Sequence, residues 1–281
     1  HALQRVRRLF QAQKAGHTGT LDPMATGLLP ICLGEATKFS SHLLEADKVY
    51  RTRVELGMIT DTGDAEGTII EQHEVPSLSV DDVEAVLTRF RGDIDQVPPM
   101  YSALKHQGKK LYELAREGKH VERAARRVSV YDARLLSFDS TAFELEVSCS
   151  KGTYIRTLAE DIGKALGCGA HISQLRRLKT GPFLADAMWT LEALEALADQ
   201  AALEAELMPV DVLVDHLPSL AVDDTAHTRL AHGQPAALTT GTLAPEALAR
   251  LYYAETFIGL GVVKGDQEVA PKRLLSTVAI S

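Results

Sequence analysis

The sequence predicts an α/β chain of the α+β type that ends in a small β-rich domain, and three observations carry that reading. Residues 50–56 and 143–149 alternate apolar and polar side chains with the period of a half-buried strand. Residues 79–90 and 155–166 place apolar side chains at helical spacing behind capping residues, Ser79 in one case and Thr153 in the other. From Leu217 onward both textures give way to short β-like runs split by Gly and Pro, residues 257–263 and 269–275, the pattern of a small β-barrel. With 281 residues the chain is long enough for one large domain and one small one.

Taken in order, Ala2 to Ala12 carries Leu3, Val6, Leu9 and Phe10 at helical spacing with arginines on the opposite face, so a helix leads the chain. The next stretch, Gly16 to Gly27, packs three glycines, His17, Asp22 and Pro23 into a composition that suits neither helix nor strand and reads as a shaped loop. Asp22 is the only carboxylate between His1 and Leu33, a span that also holds Arg5, Arg7, Arg8 and Lys14. A lone acid in a positive field favours its ionised form, and Pro23 biases Asp22 toward extended backbone. Two readings stand at this point: Asp22 pairs with a tight turn, or it is a free nucleophilic carboxylate. Tyr50 points with the apolar face of its strand, as a core tyrosine or as a stacking platform.

The acidic turn Thr60 to Gly67 lacks the one-three-five carboxylate spacing of a calcium loop. Ser79, with Asp82 three residues on, caps a scaffold helix with Val80, Val83, Leu87 and Phe90 on one face. Residues 98–128 then hold eight Lys/Arg against three acids, interleaved with Tyr101, His106 and Tyr112, a mixture that suits phosphate contact and base stacking. Mutual repulsion of these cations and glycines at 108 and 118 loosen the segment, so its order is expected to depend on an anionic partner. The strand at 143–149 delivers Ser150–Thr157 into a helix, and a strand, glycine turn and helix start together make an anion site. Taken alone, Arg156 there reads as a helix-start arginine in a surface ion pair. Residues 190–207 are rich in Ala, Leu and Glu and read as one acidic helix.

Composition narrows the class. Cys32, Cys149 and Cys168 are odd in number with no Cys-x-x-Cys, and Cys168-x-x-His171 has no partner pair, so neither disulfides nor a zinc site is expected. No apolar run approaches the roughly 18 residues that span a bilayer, and the first residues are not those of a signal peptide, so a reducing, cytoplasmic setting is expected. The net charge of −8 argues against a nucleic-acid partner only as an average, because residues 186–215 hold eight acids and no Lys or Arg while 98–128 is basic. No Gly-x-Ser-x-Gly, Walker A, Gly-x-Gly-x-x-Gly or internal repeat is present.

The run Gly16 to Lys38, built on Leu21-Asp22-Pro23, resembles the active-site segment of bacterial tRNA pseudouridine synthases of the TruB family, as do Lys48-Val49-Tyr50-Arg51, Lys151-Gly152-Thr153-Tyr154-Ile155-Arg156 and Gly169 to Leu178. Gly233, Phe257-Ile258-Gly259 and Pro271-Lys272-Arg273-Leu274 resemble the PUA domain, an RNA-binding module. The resemblance implies a catalytic domain at residues 1–212, with a mixed, mainly antiparallel sheet of the pseudouridine synthase type and an RNA-clamping insertion at 98–128, followed by a PUA-like domain at 217–281. It implies that the T-loop uridine of tRNA conventionally numbered 55 is isomerised without cofactor or metal by a monomer that binds the T-arm stem-loop.

By the same resemblance Asp22 attacks the target uridine, Tyr50 stacks on the base and assists its proton chemistry, and Arg156 bridges Asp22 and the RNA backbone. Tyr154 walls the pocket, Leu175 touches the substrate, Asp64 pairs with Arg156, and His17 fills the space left by the flipped base. Lys105, Lys109 and Lys110 belong to the RNA clamp. The family's preceding Lys-Pro strand has no counterpart within residues 1–281. The alternative from another class is a non-catalytic tRNA-binding protein or tRNA folding chaperone, and an aspartate-based hydrolase would need a second carboxylate of comparable specificity near Asp22.

Overall fold

The period-two stretch around Tyr50 forms the strand Lys48–Leu56, which lies inside a seven-stranded sheet. The computed structural model describes residues 1–197, 199–265 and 267–276, so positions 277–281 at the end of the expected PUA-like domain lie outside the described residues. The chain divides into two units that interleave in sequence, one of His1–Gly19, Pro30–Leu44 and Trp189–Ser281, the other of Thr20–Leu29 and Glu45–Met188.

The second unit carries the sheet, in the order Phe183–Leu184, Ala170–Thr180, Lys48–Leu56, Ala142–Cys149, Arg126–Asp139, Gly92–Gln96, every one of these pairs antiparallel. Thr26–Gly27 adds a parallel pair against Ala170–Thr180. The sheet is thus mixed and mainly antiparallel, as expected. Helices Val80–Phe90 and Ile155–Ala165 supply Val83, Leu87, Ile155, Leu158 and Ile162 to the apolar cluster that Val54, Phe143, Leu145, Val147 and Ile172 supply from the strands. Each fully buried side chain of this size contributes about 1.5–3 kcal/mol, which makes the cluster a stiff base for whatever its strand ends carry.

The Val80–Phe90 helix starts as read, with the Ser79 hydroxyl accepting from the Asp82 N–H and the Asp82 carboxylate accepting from the Ser79 N–H. The cap at the other helix differs from the expectation. Thr153 donates its hydroxyl to the Ser150 carbonyl, Tyr154 is the N-cap residue, and the side chain of Gln96 takes the Tyr154 N–H at 2.8 Å. Tertiary hydrogen bonding has replaced the local cap.

In the first unit Ser219–Val222, Leu248–Tyr253, Thr256–Gly265, Glu268–Leu274 and Ala236–Ala237 pair in that order, parallel at the first step and antiparallel after, as a PUA-like half-barrel around Leu230, Leu251 and Val269. The leading helix ends at Leu9. The expected helix over 190–207 is two, Leu191–Glu195 and Gln200–Ala205, because Asp199 caps the Ala202 N–H and restarts the helix in mid-segment. No described helix is long and apolar enough to cross a membrane.

Gly163 marks a close helix-to-sheet approach, since a Cβ built there would lie 2.4 Å from the Ala170 Cβ and 2.5 Å from the Ala170 nitrogen. Alanine ordinarily favours a helix over glycine by about 1 kcal/mol. Here the overlap is with backbone, and overpacking of this kind costs about 1–3 kcal/mol, so the clash wins. Gly163→Ala is expected to lower the urea midpoint with an unchanged m-value, and a raised midpoint would show that the approach is loose.

Candidate active site

Three segments far apart in sequence converge on the Arg156 guanidinium. Arg156 Nε–H donates to Asp22 Oδ2 at 2.9 Å and Nη2–H to Asp22 Oδ1 at 3.0 Å, a bidentate pair in which both carboxylate oxygens accept. Nη2 also donates to the Tyr101 carbonyl and Nη1 to the Thr62 carbonyl, each at 2.8 Å, and Nη1 stands 3.6 Å from Asp64 Oδ2. The arginine side chain is 4% exposed and that of Asp22 30%, so the carboxylate opens to solvent while the cation that holds it is covered.

The backbone of the loop leaves the Asp22 side chain out of its turn. The Asp22 carbonyl accepts from the Ala25 N–H at 2.9 Å and closes a turn with Pro23 in the second position. The turn is made by the main chain, and the carboxylate goes to Arg156. Past the turn, Gly27 has φ +93°, and a Cβ there would lie 2.3 Å from the Arg177 carbonyl oxygen, so only glycine lets this chain lie against the Ala170–Thr180 strand. Burial above all pushes the Asp22 carboxyl up from its ordinary range; the charge and hydrogen bonds of Arg156 pull against that, and Asp64 adds to it.

Asp64 is buried in the acidic turn. Its Oδ1 accepts from the Thr62 hydroxyl at 2.7 Å and the Glu66 N–H at 3.1 Å, and the turn is tied to the Ala170–Thr180 strand by Ala65 N–H to Ile172 O and Ile172 N–H to Gly63 O. Tyr50 packs against the main apolar cluster, of which the buried Leu175 is a member along with the neighbouring Met24 and Ala25 at its edge. Burial pushes the Tyr50 phenol up, so it is a neutral hydroxyl at physiological pH; the charge of Arg177 works in the other direction, and the charge of Asp22 is felt at its oxygen. Tyr154 is likewise pushed up by burial and lies within the fields of Arg156 and Asp22. Its backbone is clamped at both ends by Gln96, whose Nε2–H donates to the Tyr154 carbonyl at 3.0 Å.

Asp22, Tyr50, Asp64, Tyr154, Arg156 and Leu175 therefore all belong to the second unit. His17 belongs to the first, at the end of the strand Ala15–His17, with a buried Nδ1 that has no hydrogen-bond partner among the described residues. Lys105, Lys109 and Lys110 sit on a two-residue hairpin, Lys105 opposite Lys110, with Gln107 and Gly108 both at positive φ in its turn. Like charges directly opposite destabilise a ladder, which suits this hairpin to a polyanion. Lys109 pairs with Glu117 at 3.5 Å, and Lys110 lies 5.4 Å over the Tyr112 ring. The segment is less slack than its composition suggests: Met100, Leu111 and Leu114 form a small core, and Gly118 ends the Leu111–Arg116 helix at φ +72°. Both glycines serve defined backbone turns.

Gln96, Arg177 and the carbonyls of Thr62 and Tyr101 were not singled out from sequence. For Arg177 a signal was there, since period two from the inward-facing Leu175 places it inward as well. Among the described residues no group of three or more His, Cys, Asp or Glu is placed to hold a metal ion.

Residues 7–155 match the TruB family pseudouridylate synthase (N terminal domain), residues 156–215 the tRNA pseudouridylate synthase B C-terminal domain, and residues 218–275 the Pseudouridine synthase II TruB, C-terminal domain. The chain is 67% identical over 280 residues to tRNA pseudouridine synthase B of Chromohalobacter salexigens, covering 100% of this chain and 91% of that one. It is 53% identical over 281 residues to tRNA pseudouridine synthase B of Chromobacterium violaceum, covering 99% and 91%. Among solved structures it is similar to a chain of the crystal structure of a Cbf5-Nop10-Gar1 complex, with a TM-score of 0.70 and 27% identity over 95% of this chain and 74% of that one.

Proposed function

The chain belongs to the TruB family of pseudouridylate synthases, and on that premise we propose that the Asp22–Arg156 pair is the catalytic centre through which it isomerises uridine 55 of tRNA to pseudouridine. The observation that carries the assignment is a carboxylate that reaches solvent while a buried guanidinium grips both its oxygens. Isomerisation detaches uracil from C1′ of the ribose, turns it and rejoins it through C5, whose proton must leave. A stacked base has to be flipped out first, at a cost of a few kcal/mol, and stacking on Tyr50 offsets part of that. Asp22 acts on the nucleoside, Tyr50 assists the C5 proton, and Arg156, oriented by Asp64, fixes the carboxylate.

The remaining roles follow the same reading. Tyr154 and Leu175 wall the pocket, and His17 fills the space the base leaves in the RNA. A bond between Arg156 and the RNA backbone would replace the one that its Nη2 makes to the Tyr101 carbonyl. The T-arm stem-loop is the recognised element, the half-barrel of the first unit adds an RNA-binding surface, and the protein works as a cytoplasmic monomer.

Tritium release from a T-arm transcript labelled at uridine C5 tests the catalytic reading. The parent is expected to release tritium and Asp22→Asn to release none, with RNA affinity within a few-fold of the parent. RNA binding without release by the parent would favour a non-catalytic tRNA-binding protein or folding chaperone. The clamp has its own test, in which changing Lys105, Lys109 and Lys110 together to Ala lowers the slope of log affinity against log salt by about 0.7 for each phosphate no longer neutralised, about two in all. An unchanged slope would make these lysines solvated surface only.

A further inference from the structure

Arg177 is a charged side chain only 1% exposed, and it touches both halves of the site. It stands directly opposite Tyr50 in the antiparallel ladder and directly beside Gly27 in the parallel one. Its Nε–H donates to the Leu28 carbonyl at 2.8 Å, its own carbonyl accepts from the Leu28 N–H at 2.9 Å, and the cross-strand pairing sets its side chain beside that of Tyr50, whose phenol lies within its field. The segment so gripped, Thr20–Leu29, carries Asp22.

We propose that Arg177 is the positioning residue that donates to and so orients the Tyr50 hydroxyl beside it, and that through its bonds to Leu28 it ties that hydroxyl to the segment bearing Asp22. A guanidinium only donates, so in its bond with Tyr50 the phenol oxygen must accept. The O–H of Tyr50 is then left to point away from Arg177, toward a ligand, and a fixed positive charge stands behind the oxygen when its proton moves. Burial alone makes the phenol reluctant to ionise, and the guanidinium offsets part of that reluctance. Lys48, across the same ladder from Thr180, lies within the field of Arg177 and is pushed down by burial and by that charge, while Cys149, pushed up to about 12 by burial, stays a neutral thiol. The positive charge behind Tyr50 is an arginine's, presented as a planar fork rather than from a single point.

This inference rests on the catalytic reading of the site, and its test separates the two. Arg177→Lys keeps the charge and loses the planar fork; Arg177→Gln keeps a donor and loses the charge. For each, single-turnover pseudouridine formation at saturating tRNA is expected to fall on the order of tenfold to a hundredfold, with the tRNA Kd within about threefold of the parent. The same substitutions in a Tyr50→Phe background are expected to cost much less, because the hydroxyl they orient is gone. Equal losses in the two backgrounds, or a folded Arg177→Gln variant within twofold of the parent, would overturn the role. The parent serves as the control: if it forms no pseudouridine, the catalytic reading fails first. A measurement that needs no Arg177 variant completes the test. Side-chain 15N resonances of Arg177 in the folded parent are expected to shift on Tyr50→Phe, and unchanged resonances would show that the two groups are not bonded.

Discussion

One guanidinium constrains the site. Arg156 spends its N–H groups on Asp22, on the Thr62 carbonyl and on the Tyr101 carbonyl, and faces Asp64, so the position of the carboxylate depends on the acidic turn and on the start of the basic segment as much as on its own loop. A planar fork with five donors is the side chain that can hold three segments in fixed directions at once. Because the arginine is buried and the carboxylate only partly so, the pair is aimed outward.

What keeps Arg156 in place is the sheet beneath it. Gln96, at the edge strand, takes both backbone groups of Tyr154 and so fixes the first residue ahead of the Ile155–Ala165 helix. The other strand ends do the same for the remaining groups, Ile172 for the acidic turn and Arg177 for the segment after Asp22. Parts of the site that must be exact are therefore bonded to strands, while the lysine hairpin, with like charges facing one another, is bonded mainly to its own small core. That division matches what each part does: chemistry needs geometry fixed to fractions of an ångström, and phosphate contact tolerates more freedom.

Much of this was legible in the residues. Period two placed Tyr50 inward, the Ser79 to Asp82 spacing gave a capping box that formed, and the Leu21-Asp22-Pro23 and Lys151 to Arg156 motifs put the two members of the central pair on the page. What could not be read were partners set by tertiary position. Nothing near Gln96 in sequence points to Tyr154, 58 residues away. Thr153 looked like a helix cap because local rules favour it, and a long-range side chain took that place. The 190–207 segment failed in the opposite sense, since its Ala, Leu and Glu content favours one helix and a single well-placed cap at Asp199 made two. In the basic segment charge was visible, but the apolar trio of Met100, Leu111 and Leu114 that gives it a fold was hidden among the lysines.

The central claim, that the fork of Arg156 holds the catalytic carboxylate, is tested most directly by Arg156→Lys under single-turnover conditions at saturating tRNA. Lysine keeps the charge but presents its donors from one point, so it cannot meet both Asp22 oxygens and two carbonyls together. The rate is expected to fall on the order of a hundredfold or more, with tRNA affinity within about threefold of the parent. A rate within a few-fold of the parent would show that charge alone suffices and that the bidentate grip is not what the site depends on.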